Sequence, residues 1–139
     1  MTVKPETLLW KNLKKLLEVG RKGYLVSRLE SYVTPGFPDC LVFHKDTGFF
    51  TLELKVIQSN NRIKISMFQD AWNAAYSSAG APVFILATAL GGGYGKLFSS
   101  AVMRDLRSKT VDSVPGLYEG RLADLDLRAV VRETPQNSP

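Results

Sequence analysis

Residues 49–56 read Phe49-Phe50-Thr51-Leu52-Glu53-Leu54-Lys55-Val56, and the fold follows from how that stretch is built. It is apolar and β-rich, which predicts a strand. Glu53 and Lys55 are two residues apart and so share one face, while Leu52, Leu54 and Val56 share the other. A carboxylate and an ammonium side by side on a strand mark either a solvated outer surface or a charged cleft.

The preceding segment, Asp39 to Phe43, is a second apolar strand, joined to the first by His44-Lys45-Asp46-Thr47-Gly48, a hairpin connection containing glycine. In the simplest register Phe43 faces Phe49, Leu41 faces Thr51, and Asp39 falls opposite Glu53. Directly opposed Cβ atoms lie roughly 4.5–5.5 Å apart. Two carboxylates at that separation repel and raise one another's pKa unless a cation lies between them. Mg²⁺ suits such a pair, because it takes carboxylate oxygens and keeps several waters. Lys55, one pleat of roughly 7 Å further on, can orient an attacking water or stabilise charge on a phosphate. The bland alternatives are an Asp favoured in the turn after Pro38, a half-exposed strand surface, and a bulge that shifts the register.

Working outward, Pro5 and Glu6 suit a first helical turn, followed by Leu9, Leu13, Leu16 and Leu17 at helical spacing with Trp10. Lys11, Lys14 and Lys15 occupy the outer side of this helix, which Gly20 and Gly23 stop. Tyr24 to Val33 predicts a strand ending at the Thr34-Pro35-Gly36 turn. Ser66 to Ala79 predicts a second helix, Pro82 to Thr88 a fourth strand and Lys96 to Ser100 a fifth, with the Gly91-Gly92-Gly93-Tyr94-Gly95 run as the hairpin turn between them. Helical segments around Met103 to Lys109 and Leu122 to Val131 complete the chain, with Asp124, Asp126, Arg128 and Arg132 as a solvated helix surface. The expectation is a mixed α/β domain with a central sheet of about five strands flanked by helices. It is one domain over 1–133, with a core at 5–100, a helical extension at 101–133 and a flexible tail at 134–139.

Composition narrows the chemistry. The 18 Lys and Arg outnumber the 13 Asp and Glu, a net charge of +5 that favours a polyanionic partner. Cys40 is the single cysteine, so an intrachain disulfide and a cysteine-based zinc site are both excluded. It packs as a small hydrophobe or, less simply, serves as a thiol with His44 as base. No apolar run approaches the ~20 residues needed to cross a bilayer, and no signal-peptide core is present. The expected setting is the cytoplasm of a bacterial or infected host cell.

The ordered set SRLESYVTPGFPDCLVF (27–43), FFTLELKV (49–56) and SMFQDAWNAA (66–75) resembles the PD-(D/E)xK nuclease superfamily. Within it, the set is most similar to phage nucleases of the VRR-NUC and Holliday-junction-resolvase-like type. The resemblance covers Tyr24 to about Leu86; nothing after Gly91 takes part in it. It implies a restriction-endonuclease-like core and a Mg²⁺- or Mn²⁺-dependent endodeoxyribonuclease. Asp39 and Glu53 would be metal ligands, Lys55 the catalytic lysine and Glu30 the upstream acid that completes the metal site. Some members place that acid on the first helix, where Glu6 stands. Gln69 is the family's helix glutamine, and it is also the third helical residue of a capping box begun by Ser66. Arg28 would bind phosphate or pair with a carboxylate, and Arg62 and Lys64 would clamp the DNA backbone or lie on a solvated edge. The resemblance further implies a branched DNA substrate of the Holliday-junction kind and a homodimer that cuts two symmetric strands. Its dimer face would be the Leu8–Leu17 helix or the C-terminal segment. Two other outcomes stay open: a nuclease for linear or single-stranded DNA in phage DNA degradation, and a non-catalytic DNA-binding module on the same fold.

Overall fold

In the computed structural model, which describes residues 5–20, 23–29, 35–89 and 93–134, the stretch around Glu53 is the long third strand of a six-stranded mixed sheet. The strands are β1 (Leu25–Arg28), β2 (Cys40–His44), β3 (Gly48–Ile57), β4 (Val83–Ala89), β5 (Tyr94–Ser99) and β6 (Tyr118–Arg121), and they lie in chain order. All neighbours are antiparallel except β3 and β4. A parallel pair needs a long crossover, and α2 (Met67–Ser78) lies within it. The expected register holds: Phe43 faces Phe49, Leu41 faces Thr51 and Cys40 faces Leu52. The hairpin loop is tighter than expected, because His44 and Gly48 themselves pair, leaving Lys45-Asp46-Thr47 as the turn with Gly48 at φ 72°.

Alternation along β3 divides the molecule into two layers. Phe50, Leu52 and Leu54 point to one side, where α1 (Pro5–Lys15) lays Leu9 and Leu13 against them and α4 (Leu127–Glu133) adds Leu127 and Val131. The last turn of the first helix, Leu16–Gly20, widens to π geometry and contributes Leu17. On the opposite side Ile85, Ala87 and Phe98 pack with Ile63 and with Met103 and Leu106 of α3 (Met103–Ser108). Each fully buried Leu or Phe contributes about 1.5–3 kcal/mol by leaving water, so both layers are held by ordinary apolar burial. The charged side of β3 belongs to the second layer, beneath α2.

Three expectations need correction. β6 was absent from the sequence reading because Tyr118-Glu119-Gly120-Arg121 is a short edge strand without an apolar stripe; pairing with β5 and a 3.1 Å Lys96–Glu119 ion pair hold it in place. The helix expected from Leu122 begins only at Leu127, since Asp126 caps it by accepting from Ala129 N and Leu122–Asp124 forms a separate 3₁₀ turn. The fifth strand starts at Tyr94, so the tyrosine and the last glycine of the Gly91–Gly95 run are strand rather than turn. β1 is Leu25–Arg28, with Tyr24 and Leu29 flanking the strand rather than in it; residues 30–33 of the expected strand, Glu30 included, lie outside the described residues.

Candidate active site

The site begins with a loop that only glycine allows to close. Gly36 sits at φ 84°, and a Cβ there would collide with the backbone carbonyl of Phe68 in the first turn of α2. The loop therefore docks against the helix start, with Pro38 buried and Asp39 half-buried behind it. Gly36→Ala is expected to destabilise the fold by about 2–5 kcal/mol, combining positive-φ strain with backbone overpacking. Urea unfolding measures this, and a change below about 0.5 kcal/mol would contradict the docking.

Asp39 is fixed by its neighbours. Leu29 N donates to the Asp39 carbonyl at 2.7 Å, and Leu54 N donates to Asp39 Oδ2 at 2.7 Å. The side chain thus leans on β3 immediately beyond the last paired residue of β2, in line with Glu53. Glu53 is almost entirely buried, 4% exposed. Burial first, then the Asp39 charge and a hydrogen bond with its carboxyl, push the Glu53 pKa up to about 9, against a smaller opposing pull from Lys55. The expected opposition of two acids is present.

Gln69 connects this pair to the lysine. Lys55 Nζ donates to Gln69 Oε1 at 2.9 Å, and Gln69 Nε2 donates to Glu53 Oε1 at 3.2 Å. Ser66 N also donates to Gln69 Oε1 at 3.0 Å, and Gln69 N donates to Ser66 Oγ at 3.1 Å. The capping-box reading of Gln69 holds, and the same side chain also spans the two charged strand residues. Two donors on Oε1 and an acceptor on Nε2 orient the amide. The helix cap is what aims the glutamine.

The other expected residues fall around the centre unevenly. Arg28 pairs with Cys40, on the α1 side of the sheet, and lines a small crevice together with Asp39, Trp10 and Leu54. Arg62 and Lys64 are exposed on the β3–α2 connection and form no ion pair with another described residue. That connection is anchored by Asn61, at φ 61°, whose carbonyl accepts from Val111 N and whose Oδ1 accepts from Asp112 N. Glu30 lies outside the described residues, and Glu6 lies in α1 with its side chain undescribed. The thiol alternative fails: Cys40 Sγ is buried against the Leu52 carbonyl, burial pushes its pKa far up, and His44 lies two pleats away with Nδ1 accepting from Asp46 N.

The donor set fits a hard divalent ion. Asp39 and Glu53 offer carboxylate oxygens, and Mg²⁺ commonly uses one or two carboxylates and keeps several waters. Among the described residues no group of three or more His, Cys, Asp or Glu side chains gathers, so a closed tetrahedral zinc site is not formed by them. The pH consequence has a definite sign. A carboxyl raised from 4.5 to about 9 binds more protons folded than unfolded, so its contribution to stability is full below pH 4.5 and is lost as pH rises toward 9. Glu53→Gln should therefore raise the metal-free melting temperature by several degrees at pH 8 and by almost nothing at pH 4, read by calorimetry. An equal shift at both pH values would contradict the raised pKa.

Two features escaped the sequence reading. Arg107 Nη1 lies 2.8 Å from Asp70 Oδ2, so α3 from the C-terminal extension braces the first turn of α2 next to Gln69. An aromatic cluster also adjoins the site: Trp72 stacks on Tyr76 with ring centroids 4.0 Å apart and meets Phe37 at 5.6 Å. The signal for it was Phe37 two residues before Asp39 and Trp72 one helical turn after Gln69. No protein-family description, curated protein or solved structure matches the chain.

Proposed function

We propose that the chain is a divalent-metal-dependent endodeoxyribonuclease that hydrolyses DNA phosphodiesters, with branched, Holliday-junction-like DNA as its substrate and a homodimer as its working form. One observation carries the reading: Asp39, held by the Leu54 amide just before β2, stands beside the buried Glu53 of β3, and a lysine one pleat along is tied to Glu53 through a single glutamine. The resemblance of the same ordered residues to the PD-(D/E)xK superfamily supports it, as does the +5 charge.

Asp39 and Glu53 would hold Mg²⁺ or Mn²⁺, and Glu30 would add a third acid. When bound, the ion supplies positive charge against the phosphate in the transition state and lowers the pKa of an attacking water. The chain's own residues do the rest. The Leu54 amide keeps Asp39 turned toward β3, so the carboxylate needs no rearrangement to bind. Glu53 would serve as a ligand in its ionised form, so its hold on such an ion would strengthen as pH rises. Lys55 holds a donated proton toward the Gln69 oxygen and stands on the same face as Glu53, where it can stabilise phosphate charge or position the nucleophile. Arg62 and Lys64 offer cations to the DNA backbone on the approach to α2, and Arg28 offers one beside Asp39.

The experiment incubates purified protein with labelled four-way junctions, linear duplex and single strands, with Mg²⁺ and with EDTA. Junction cleavage in Mg²⁺ and none in EDTA is expected. Cleavage of linear substrates alone would identify a DNA-degrading nuclease, and binding with no cleavage in any arm would identify a non-catalytic module.

A further inference from the structure

A groove of about 280 Å³ opens beside the acid pair, lined among others by Phe37, Leu41, Thr51, Trp72 and Tyr76. We propose that it receives an unpaired nucleobase from the strand whose phosphate lies at Asp39 and Glu53, so that the protein acts where DNA bases are released from duplex stacking. The inference rests on the nuclease reading and names its substrate more closely.

Position comes first. Thr51 is one pleat from Glu53 on the same face of β3, roughly 7 Å away along the strand, and Trp72 is one helical turn from Gln69. Phe37 is joined to Asp39 through Pro38 alone. A phosphate held at the acids therefore has its attached nucleoside within reach of the groove.

Chemistry selects the occupant. The walls are aromatic and apolar, with Phe37 and Tyr76 38% and 47% exposed, and sequence-tolerant base stacking uses such surfaces. Phe68 and Met67 extend the exposed apolar surface at the start of α2. Among the lining residues, Trp72 Nε1 and Thr51 Oγ1 are shielded and have no hydrogen-bond partner among the described residues. An aliphatic side chain from a second copy of the protein would leave both unmatched, whereas a base that parts the rings brings edge nitrogens and carbonyl oxygens. The cations also fit: Lys55, Arg62 and Lys64 lie on the β3–α2 side of the same centre, where a strand's phosphates would run while its base turns inward.

The test uses full-length protein in EDTA, so that binding is read without cleavage. Single-stranded oligonucleotide is expected to bind more tightly than blunt duplex of the same sequence. Tyr76→Ala and Phe37→Ala should each weaken single-strand binding by about 5- to 100-fold, with duplex binding changed less than about twofold. Unaltered protein supplies a check free of folding effects: an abasic position walked along a labelled strand in Mg²⁺ should slow cleavage at one register beside the cut. A flat abasic profile with normal cleavage would overturn the groove and leave the nuclease reading standing. Single-strand binding that depends on Tyr76, with no Mg²⁺-dependent cleavage, would keep the groove and overturn the nuclease reading. If Tyr76→Ala instead converts dimer to monomer without weakening single-strand binding, the groove is a contact between copies and the proposal fails.

Discussion

Asp39→Asn and Glu53→Gln are each expected to lower Mg²⁺-dependent cleavage by on the order of 10³-fold or more, with DNA affinity in EDTA changed less than about threefold. The magnitude follows from removing one of only two carboxylates available to the ion among the described residues. Neither substitution should unfold the chain. An asparagine at 39 keeps a carbonyl oxygen for the Leu54 amide, which now donates to Asp39 Oδ2. A glutamine at 53 keeps a partner for Gln69 and removes a buried acid that neutral pH favours ionising only in the unfolded chain. Parallel thermal melts separate loss of chemistry from loss of fold. Wild-type cleavage rates in either variant would remove the site assignment.

Lys55→Ala is expected to slow cleavage by about 10²–10³-fold, the usual cost of losing one preorganised donor in an active site. The side chain donates to Gln69 and contributes no oxygen ligand, so Mg²⁺ affinity should shift only a few-fold. That separation distinguishes a residue acting on the phosphate or nucleophile from one that merely holds the acids in place. Parallel losses of rate and metal affinity would make Lys55 a structural tie between β3 and α2 instead.

Much of this centre was legible in the sequence because it rests on short-range rules. The alternation in FFTLELKV fixed which side chains share a face, and the apolar strand before it fixed the register, so Asp39 and Glu53 could be opposed on paper. Ser66 and Gln69 announced the helix start by spacing alone. What could not be read depends on contacts distant in sequence. β6 exists through its pairing with β5, the brace from Arg107 to Asp70 spans 37 residues, and the Phe37–Trp72–Tyr76 cluster forms only once the Gly36 loop meets α2. Glycine before Pro-Asp was visible as a motif; the reason for it, a helix carbonyl where a Cβ would sit, required the fold.

Calorimetric titration of Mn²⁺ into the purified protein at pH 7, repeated in buffers of different ionisation enthalpy, examines the shared acid centre directly. Saturable binding with release of close to one proton is expected for the wild-type chain, with strong loss in Asp39→Asn and binding without that proton in Glu53→Gln if any remains. Absence of saturable binding to the wild-type protein, or unchanged affinity and proton release in both variants, would contradict the account.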